Sequence, residues 1–150
     1  MTPPAPVGRT AFVLGFAGLL PQAAAVAVIF VDPHGAYELP PFAAYGYASL
    51  ILSFLGGMWW GFAMRREHGQ GVLAAVAVLP SLVPLAVAPL VFVRWDLGLP
   101  LLVLGVAIVL TLPVDRWLVG TGDAPANWMR LRIPLSLGLG TLTIAAGLLV

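Results

Sequence analysis

The side chains able to do chemistry in this 150-residue chain are few and far apart. The acids are Asp32, Glu38, Glu67, Asp96, Asp115 and Asp123, the histidines are His34 and His68, and there is no cysteine. Without a thiol there is no disulfide scaffold, no thiolate nucleophile and no iron–sulfur ligation. Asp32, His34, Glu38 and Asp96 collect on one side of the apolar blocks and could in principle hold a divalent ion. Carboxylates at such a boundary are read as solvated caps instead, so no metal site is assigned. His34 and His68 fall on opposite sides, and no histidine lies within an apolar block where it could ligate a haem. Asp115-Arg116 and Arg94-Trp-Asp96 read as local ion pairs or boundary markers, worth little if exposed. Gly120-Thr-Gly122 lacks the preceding strand and the remainder of a nucleotide fingerprint. No nucleophile–base pair, carboxylate dyad or metal set can be assembled. The expectation is therefore no catalytic residue, no cofactor and no enzyme.

Polar groups inside the apolar blocks are the second place to look. Gln22 is the only amide deep in one, next to Pro21, which bends a helix by removing a backbone donor. A buried amide there wants a partner on another helix. In the stretch Tyr45 to Gly61, the residues Gly46, Ser49, Ser53, Gly56 and Trp60 recur at spacings of three and four and share a helical face. Gly57 and Gly61 form a Gly-x-x-x-Gly pair beside it. Lipid gives helices no hydrophobic reason to associate, so close packing of small residues supplies the attraction. Gly46, Ser49, Ser53, Gly56, Gly57 and Gly61 are thus expected to pack against other helices. The alternative is a ligand groove lined by Gln22, Ser53, Trp60 and Ser81, the last between Pro80 and Pro84 in a block also broken by Pro89. Spacing alone does not separate the two.

These residues must be positioned by membrane-spanning helices. Hydrophobic residues make up 61% of the chain and charged ones 9%, with a formal net charge of +1. That is too little charge to clothe a soluble globule, too ordered an apolar pattern for a disordered chain, and no basic face for nucleic acid. A transmembrane helix needs roughly 17–25 mainly apolar residues. Charge-free blocks of that length predict an all-α bundle of five transmembrane helices near 11–31, 42–64, 71–93, 97–114 and 133–150. Residues 1–150 read as a single integral membrane domain, with 1–8 a short disordered tail. The first helix is longer than a signal-peptide core and reads as retained, despite Ala23-Ala24-Ala25.

Only arginine supplies positive charge. Arg9, Arg65, Arg66, Arg116, Arg130 and Arg132 fall on the side of the N-terminus, and Arg94 alone on the other. Loops rich in arginine stay cytoplasmic. The expected place is a bacterial inner membrane, multi-pass, with the N-terminus cytoplasmic and the C-terminus periplasmic. Trp59, Trp60, Trp117 and Trp128 near the inner boundary, and Trp95, Tyr37 and Tyr45 near the outer one, fit aromatic belts. Trp59, Trp95, Trp117, Trp128, Arg65, Arg66, Arg130 and Arg132 are read as interface anchors, the last few contacting anionic lipid. Asp, Glu, His and Arg are absent from the interiors of these spans, which argues against proton-driven transport.

Three motifs carry a resemblance. Leu14-Gly-Phe-Ala-Gly-Leu-Leu-Pro21, Ser53-Phe-Leu-Gly-Gly-Met-Trp-Trp-Gly61 and Trp128-Met-Arg-Leu-Arg-Ile-Pro-Leu-Ser136 resemble signatures of a family of uncharacterised small bacterial and mitochondrial membrane proteins. That family includes vertebrate transmembrane protein 69. The resemblance implies a five-helix membrane bundle and no activity. The tryptophan-rich sensory proteins share size and helix number, but their Trp-Asn-Pro-Pro type motif is replaced here by Leu39-Pro-Pro-Phe42. The functional expectation is a structural or interaction component that packs through the small-residue face of the second helix. Its partners would be the lipid bilayer and another membrane protein or a second copy of the chain. The alternative is a module for binding or passive transport of a small neutral or lipid-like molecule.

Overall fold

The computed structural model describes residues 4–31 and 39–150. Among these the secondary structure is helical throughout, as the membrane demands: a backbone in hydrocarbon must satisfy its own N–H and C=O groups, and a helix does so locally. The helices are α1 (Arg9–Ala17), α2 (Leu20–Val31), α3 (Leu39–Ala63), α4 (Gln70–Arg94), α5 (Gly98–Leu110), α6 (Leu112–Gly120) and α7 (Trp128–Leu149). The pairs α1–α2 and α5–α6 each run on as one rod. Five rods result, Arg9–Val31, Leu39–Ala63, Gln70–Arg94, Gly98–Gly120 and Trp128–Leu149, each long and apolar enough to cross a membrane. Asp32, His34, Tyr37 and Glu38 lie outside the described residues.

Prolines explain both joints. Pro21 has no N–H for the carbonyl of Ala17, and the rod loosens at Gly18-Leu19, where the Tyr47 hydroxyl donates to the Gly18 carbonyl. Pro113 likewise leaves Val109 without its donor, and the α5–α6 joint falls at Thr111. In contrast, α4 runs unbroken through Pro80, Pro84 and Pro89. Pro80 and Pro84 are buried, facing the core, while Ser81 between them is exposed.

The fourth rod packs on the fifth through backbone rather than side chains. A Cβ added to Gly105 would stand 2.8 Å from the Gly140 carbonyl oxygen, and one added to Gly140 would stand 2.9 Å from the Gly105 oxygen. The same reciprocity joins the other end, where a Cβ on Gly147 would come within 2.8 Å of the Gly98 oxygen. Gly98 and Gly105 are seven residues apart, as are Gly140 and Gly147, so each pair repeats after about two helical turns on one face. Two such stripes, running antiparallel, meet glycine to glycine. Of the six residues expected to pack from the second rod, Gly56 does so tightly, since a Cβ there would lie 2.4 Å from the Ala77 oxygen of α4. Ser49 turns its hydroxyl back onto the Tyr45 carbonyl at 2.7 Å. A Cβ on Gly46, Gly57 or Gly61 meets nothing within 4 Å, and Ser53 is exposed. Within the chain, the close helix contact belongs to Gly56 and the α5–α7 glycines, while Ser53, Gly57 and Gly61 face outward and Gly46 and Ser49 are half-buried.

Two of the expected spans are longer than the charge-free blocks. The fourth rod extends past position 114 to Gly120, and the fifth begins at Trp128 instead of 133. Asp115 and Arg132 therefore stand inside helices, both buried. The expectation of spans free of acid and arginine is corrected. An opposite charge on a neighbouring helix neutralises each of them, so neither has to end its span.

The segment expected to be a free tail is held at Val7. Its N–H donates to Asn127 Oδ1 at 2.9 Å and its carbonyl accepts from Asn127 Nδ2 at 3.1 Å. A side-chain amide offers a donor and an acceptor in one plane, which is what an extended residue needs.

Candidate functional site

At the arginine-rich end of the bundle, three rods converge on one carboxylate. Asp115 has 0% of its surface exposed. Its Oδ1 accepts from Trp59 Nε1 at 3.0 Å and from Trp128 Nε1 at 3.1 Å. Its Oδ2 accepts from Arg132 Nε at 2.7 Å. Arg132 in turn donates from Nη2 to Thr111 Oγ1 at 3.0 Å, and the Thr111 hydroxyl donates to the Ile108 carbonyl at 2.6 Å. Each residue is placed by ordinary helix geometry: Thr111 and Asp115 are one turn apart, as are Trp128 and Arg132. The α6 turn begins at the proline joint, where the Asp115 N–H bonds the Thr111 carbonyl at 3.1 Å.

This cluster corrects the reading of Trp59, Trp128 and Arg132 as interface anchors. An indole is amphipathic, and its N–H is satisfied as well by a buried carboxylate as by a lipid headgroup. Asp115 pairs with Arg132, and its sequence neighbour Arg116 is exposed. Composition near a span end carries no information about which way a side chain turns.

The other expected anchors stay peripheral. Trp95 is exposed and meets Phe42 edge-on at 6.1 Å between ring centroids, and Arg65 and Arg130 are exposed. Arg66 does more. Its Nη2 lies 2.5 Å from Asp123 Oδ2, and its guanidinium carbon sits 4.6 Å from the centre of the Trp117 ring. Asp123 reaches it from a turn in which Gly122 takes φ 79°, a conformation natural to glycine. The hydrogen bond from Arg66 holds the Asp123 carboxyl below the usual carboxylate range, and Asp123 raises Arg66 in return. The pair ties the α3–α4 loop to the α6–α7 loop.

Beside the buried cluster lies a cavity of about 420 Å³ between α1, α3 and α7, open to the outside past Leu14 and Phe54. Leu14 and Gly15 of α1, Phe54 and Met58 of α3, and Leu135 and Leu139 of α7 give it an apolar wall. Arg132 and Ser136, one turn apart on α7, are its charged and hydroxyl-bearing members. Ser136 is 1% exposed, and its Oγ has no hydrogen-bond partner. Other hydroxyls of the bundle bond back to the carbonyl four residues earlier, Thr143 to Leu139 and Thr141 to Leu137, each at 2.7 Å. Ser136 does not.

None of the four residues expected to line a ligand groove borders this cavity. Gln22 is buried, but it donates from Nε2 to Thr143 Oγ1 at 3.0 Å and clamps α2 to α7. Its Oε1 has no partner. Trp60 is 46% exposed on the outer face of α3, and Ser53 and Ser81 are also exposed. The real lining was legible only in part. Arg132 and Ser136 share the motif Trp128 to Ser136 at a spacing of four, a signal that both face one way. Gly15 lies within the motif Leu14 to Pro21, and its missing side chain lets Leu131 and Leu135 of α7 come within 3.1 Å of where a Cβ would stand. Among the described residues, no group of three or more His, Asp or Glu stands close enough to hold a metal.

Residues 7–148 match the model of a family described as "Protein of unknown function (DUF3429)". No curated protein and no solved structure matches the chain.

Proposed function

The chain belongs to the DUF3429 family, and on that footing we propose that it is a membrane binding module which holds a small neutral or lipid-like molecule in the α1–α3–α7 cavity. The observation carrying this reading is Ser136. A buried hydroxyl without a partner costs about 1–3 kcal/mol, and native proteins seldom leave one without a use. Its residue lines a cavity large enough for a ligand, into which rotation about χ1 would carry the Oγ. The buried Asp115–Arg132 pair makes that wall rigid, because Trp59, Trp128 and Thr111 fix both partners from other helices. The role is binding or passive passage, with no catalytic residue and no cofactor.

The membrane in this proposal is the bacterial inner membrane, with the arginine-rich end and the N-terminus cytoplasmic and the C-terminus periplasmic. The six-to-one distribution of arginine supports that orientation. Kinship with vertebrate transmembrane protein 69, implied by the three motifs, is part of the same proposal.

Native mass spectrometry of the protein extracted gently from its own membrane tests the reading. A stoichiometric small molecule, absent from a Ser136→Leu variant whose side chain enters the cavity, is the expected result. A bare chain in both forms would refute it.

A second reading is favoured by one observation, the outward row on α3. Ser53, Gly57 and Gly61 are four residues apart and exposed, and a Cβ on either glycine meets nothing. Such a row suits close approach of a helix from another membrane protein or a second copy. In that case the extracted protein carries a bound polypeptide, and Gly57→Leu releases it without unfolding the chain.

A further inference from the structure

We infer that the cavity selects a neutral amphipath, an apolar body of about a dozen heavy atoms ending in one hydroxyl or carbonyl oxygen seated between Ser136 and Arg132. The inference rests on the binding reading above and specifies its ligand. The size follows from the volume: 420 Å³ is room for about fourteen water-sized atoms at ~30 Å³ each. The apolar body follows from the wall, in which Leu14, Phe54, Met58, Leu135 and Leu139 supply no hydrogen bond.

The neutral head follows from charge balance. Arg132 is the charged residue that borders the cavity, and Asp115 already neutralises it at 2.7 Å. A carboxylate or phosphate entering the cavity would be a third charge beside a complete pair, without a counter-ion and stripped of water. An ammonium group would fare worse, lying against a guanidinium. Either burial is strongly unfavourable in an apolar surrounding. A hydroxyl or carbonyl needs no counter-ion. The wall can offer it what it lacks: the Ser136 hydroxyl, which gives and accepts, and Arg132 Nη1, which has no hydrogen-bond partner among the described residues. An oxygen seated there would satisfy the one wall hydroxyl that fails to bond back to its own helix.

Three ω-bromo probes of equal chain length test this on the purified full chain in mild detergent: bromoundecanol, bromoundecanoate and bromoundecylamine. Bromine quenches tryptophan on contact, and Trp128 borders the cavity. Quenching of the Ser136→Leu variant measures partition into the micelle, and the saturable excess in the wild type measures the cavity. The alcohol should show a saturable component at least tenfold tighter than the acid or the amine. Ser136→Ala, which leaves the apolar wall intact, should weaken the alcohol roughly five- to tenfold, the loss of one net hydrogen bond. Equal saturable quenching by all three probes, unchanged in Ser136→Ala, would overturn the neutral-head inference while leaving the cavity a binding site. That is also the outcome if the occupant is merely a phospholipid acyl chain. No saturable component with any probe, the wild type matching Ser136→Leu, would remove the binding reading and the inference with it.

Discussion

Replacing Asp115 by asparagine probes the buried cluster with the smallest change of shape. The amide keeps an oxygen that can accept from the Trp59 and Trp128 indoles, which now bond Oδ1 at 3.0 and 3.1 Å. It puts an NH₂ group where Oδ2 accepted from Arg132 Nε at 2.7 Å, so two donors face each other. Arg132, 5% exposed, is left as a buried cation without its counter-ion. Removing one partner of a buried pair costs about 3–5 kcal/mol, most of it the stranded charge. Arg132→Met strands the carboxylate instead, but two indole N–H groups still serve it, so its cost belongs at the lower end of that range. The double variant Asp115→Asn/Arg132→Met strands neither charge and should be more stable than Asp115→Asn alone, a coupling of about 2 kcal/mol or more. Thermal unfolding in mild detergent, followed by helical circular dichroism, reads these differences. At roughly 2–4 °C per kcal/mol for a chain of this size, Asp115→Asn should lower the midpoint by at least about 6 °C. A shift under about 2 °C, or single-variant costs that simply add in the double variant, would refute the reasoning.

Two further outcomes follow from the packing and the loops. Gly105→Ala should cost about 1–3 kcal/mol, because its methyl group would stand 2.8 Å from a backbone oxygen that cannot turn aside, whereas Gly57→Ala, opening onto free space in mid-helix, should raise the midpoint by about 1–4 °C through a gain of ~0.5–1 kcal/mol in helix preference. The same unfolding experiment compares them. The Arg66–Asp123 tie should contribute about 0.5–1 kcal/mol at neutral pH. Because the folded chain holds Asp123 below its ordinary range, that contribution is complete above about pH 4 and is lost as the pH falls through the depressed folded value. Wild type and Asp123→Asn should accordingly differ in melting midpoint at pH 7 and converge in acid.

The number and rough limits of the spans were readable from order alone. Length, apolarity and the wish of each backbone to satisfy itself are local properties, and the five rods appear where charge-free blocks lie. The joint at Pro21 was readable for the same reason, since a missing N–H acts on the residue four before it. Membership in the family rests on a match along residues 7–148 of the chain. The glycine stripes of α5 and α7 were legible in principle, as equal spacings of seven, but nothing in one helix says that another carries the matching stripe.

What each face of a rod meets was decided by the tertiary structure. In a soluble helix an apolar stripe marks the buried side, but in these rods Leu50 and Trp60 turn outward while Gln22, Asp115 and Thr143 turn in. Lipid accepts apolar groups as readily as a core does, so hydropathy loses its sense of direction. Asp115 and Arg132 show the consequence most sharply. Each alone would end a span, and only their meeting across two helices, with Trp59 brought in from a third, lets both be buried.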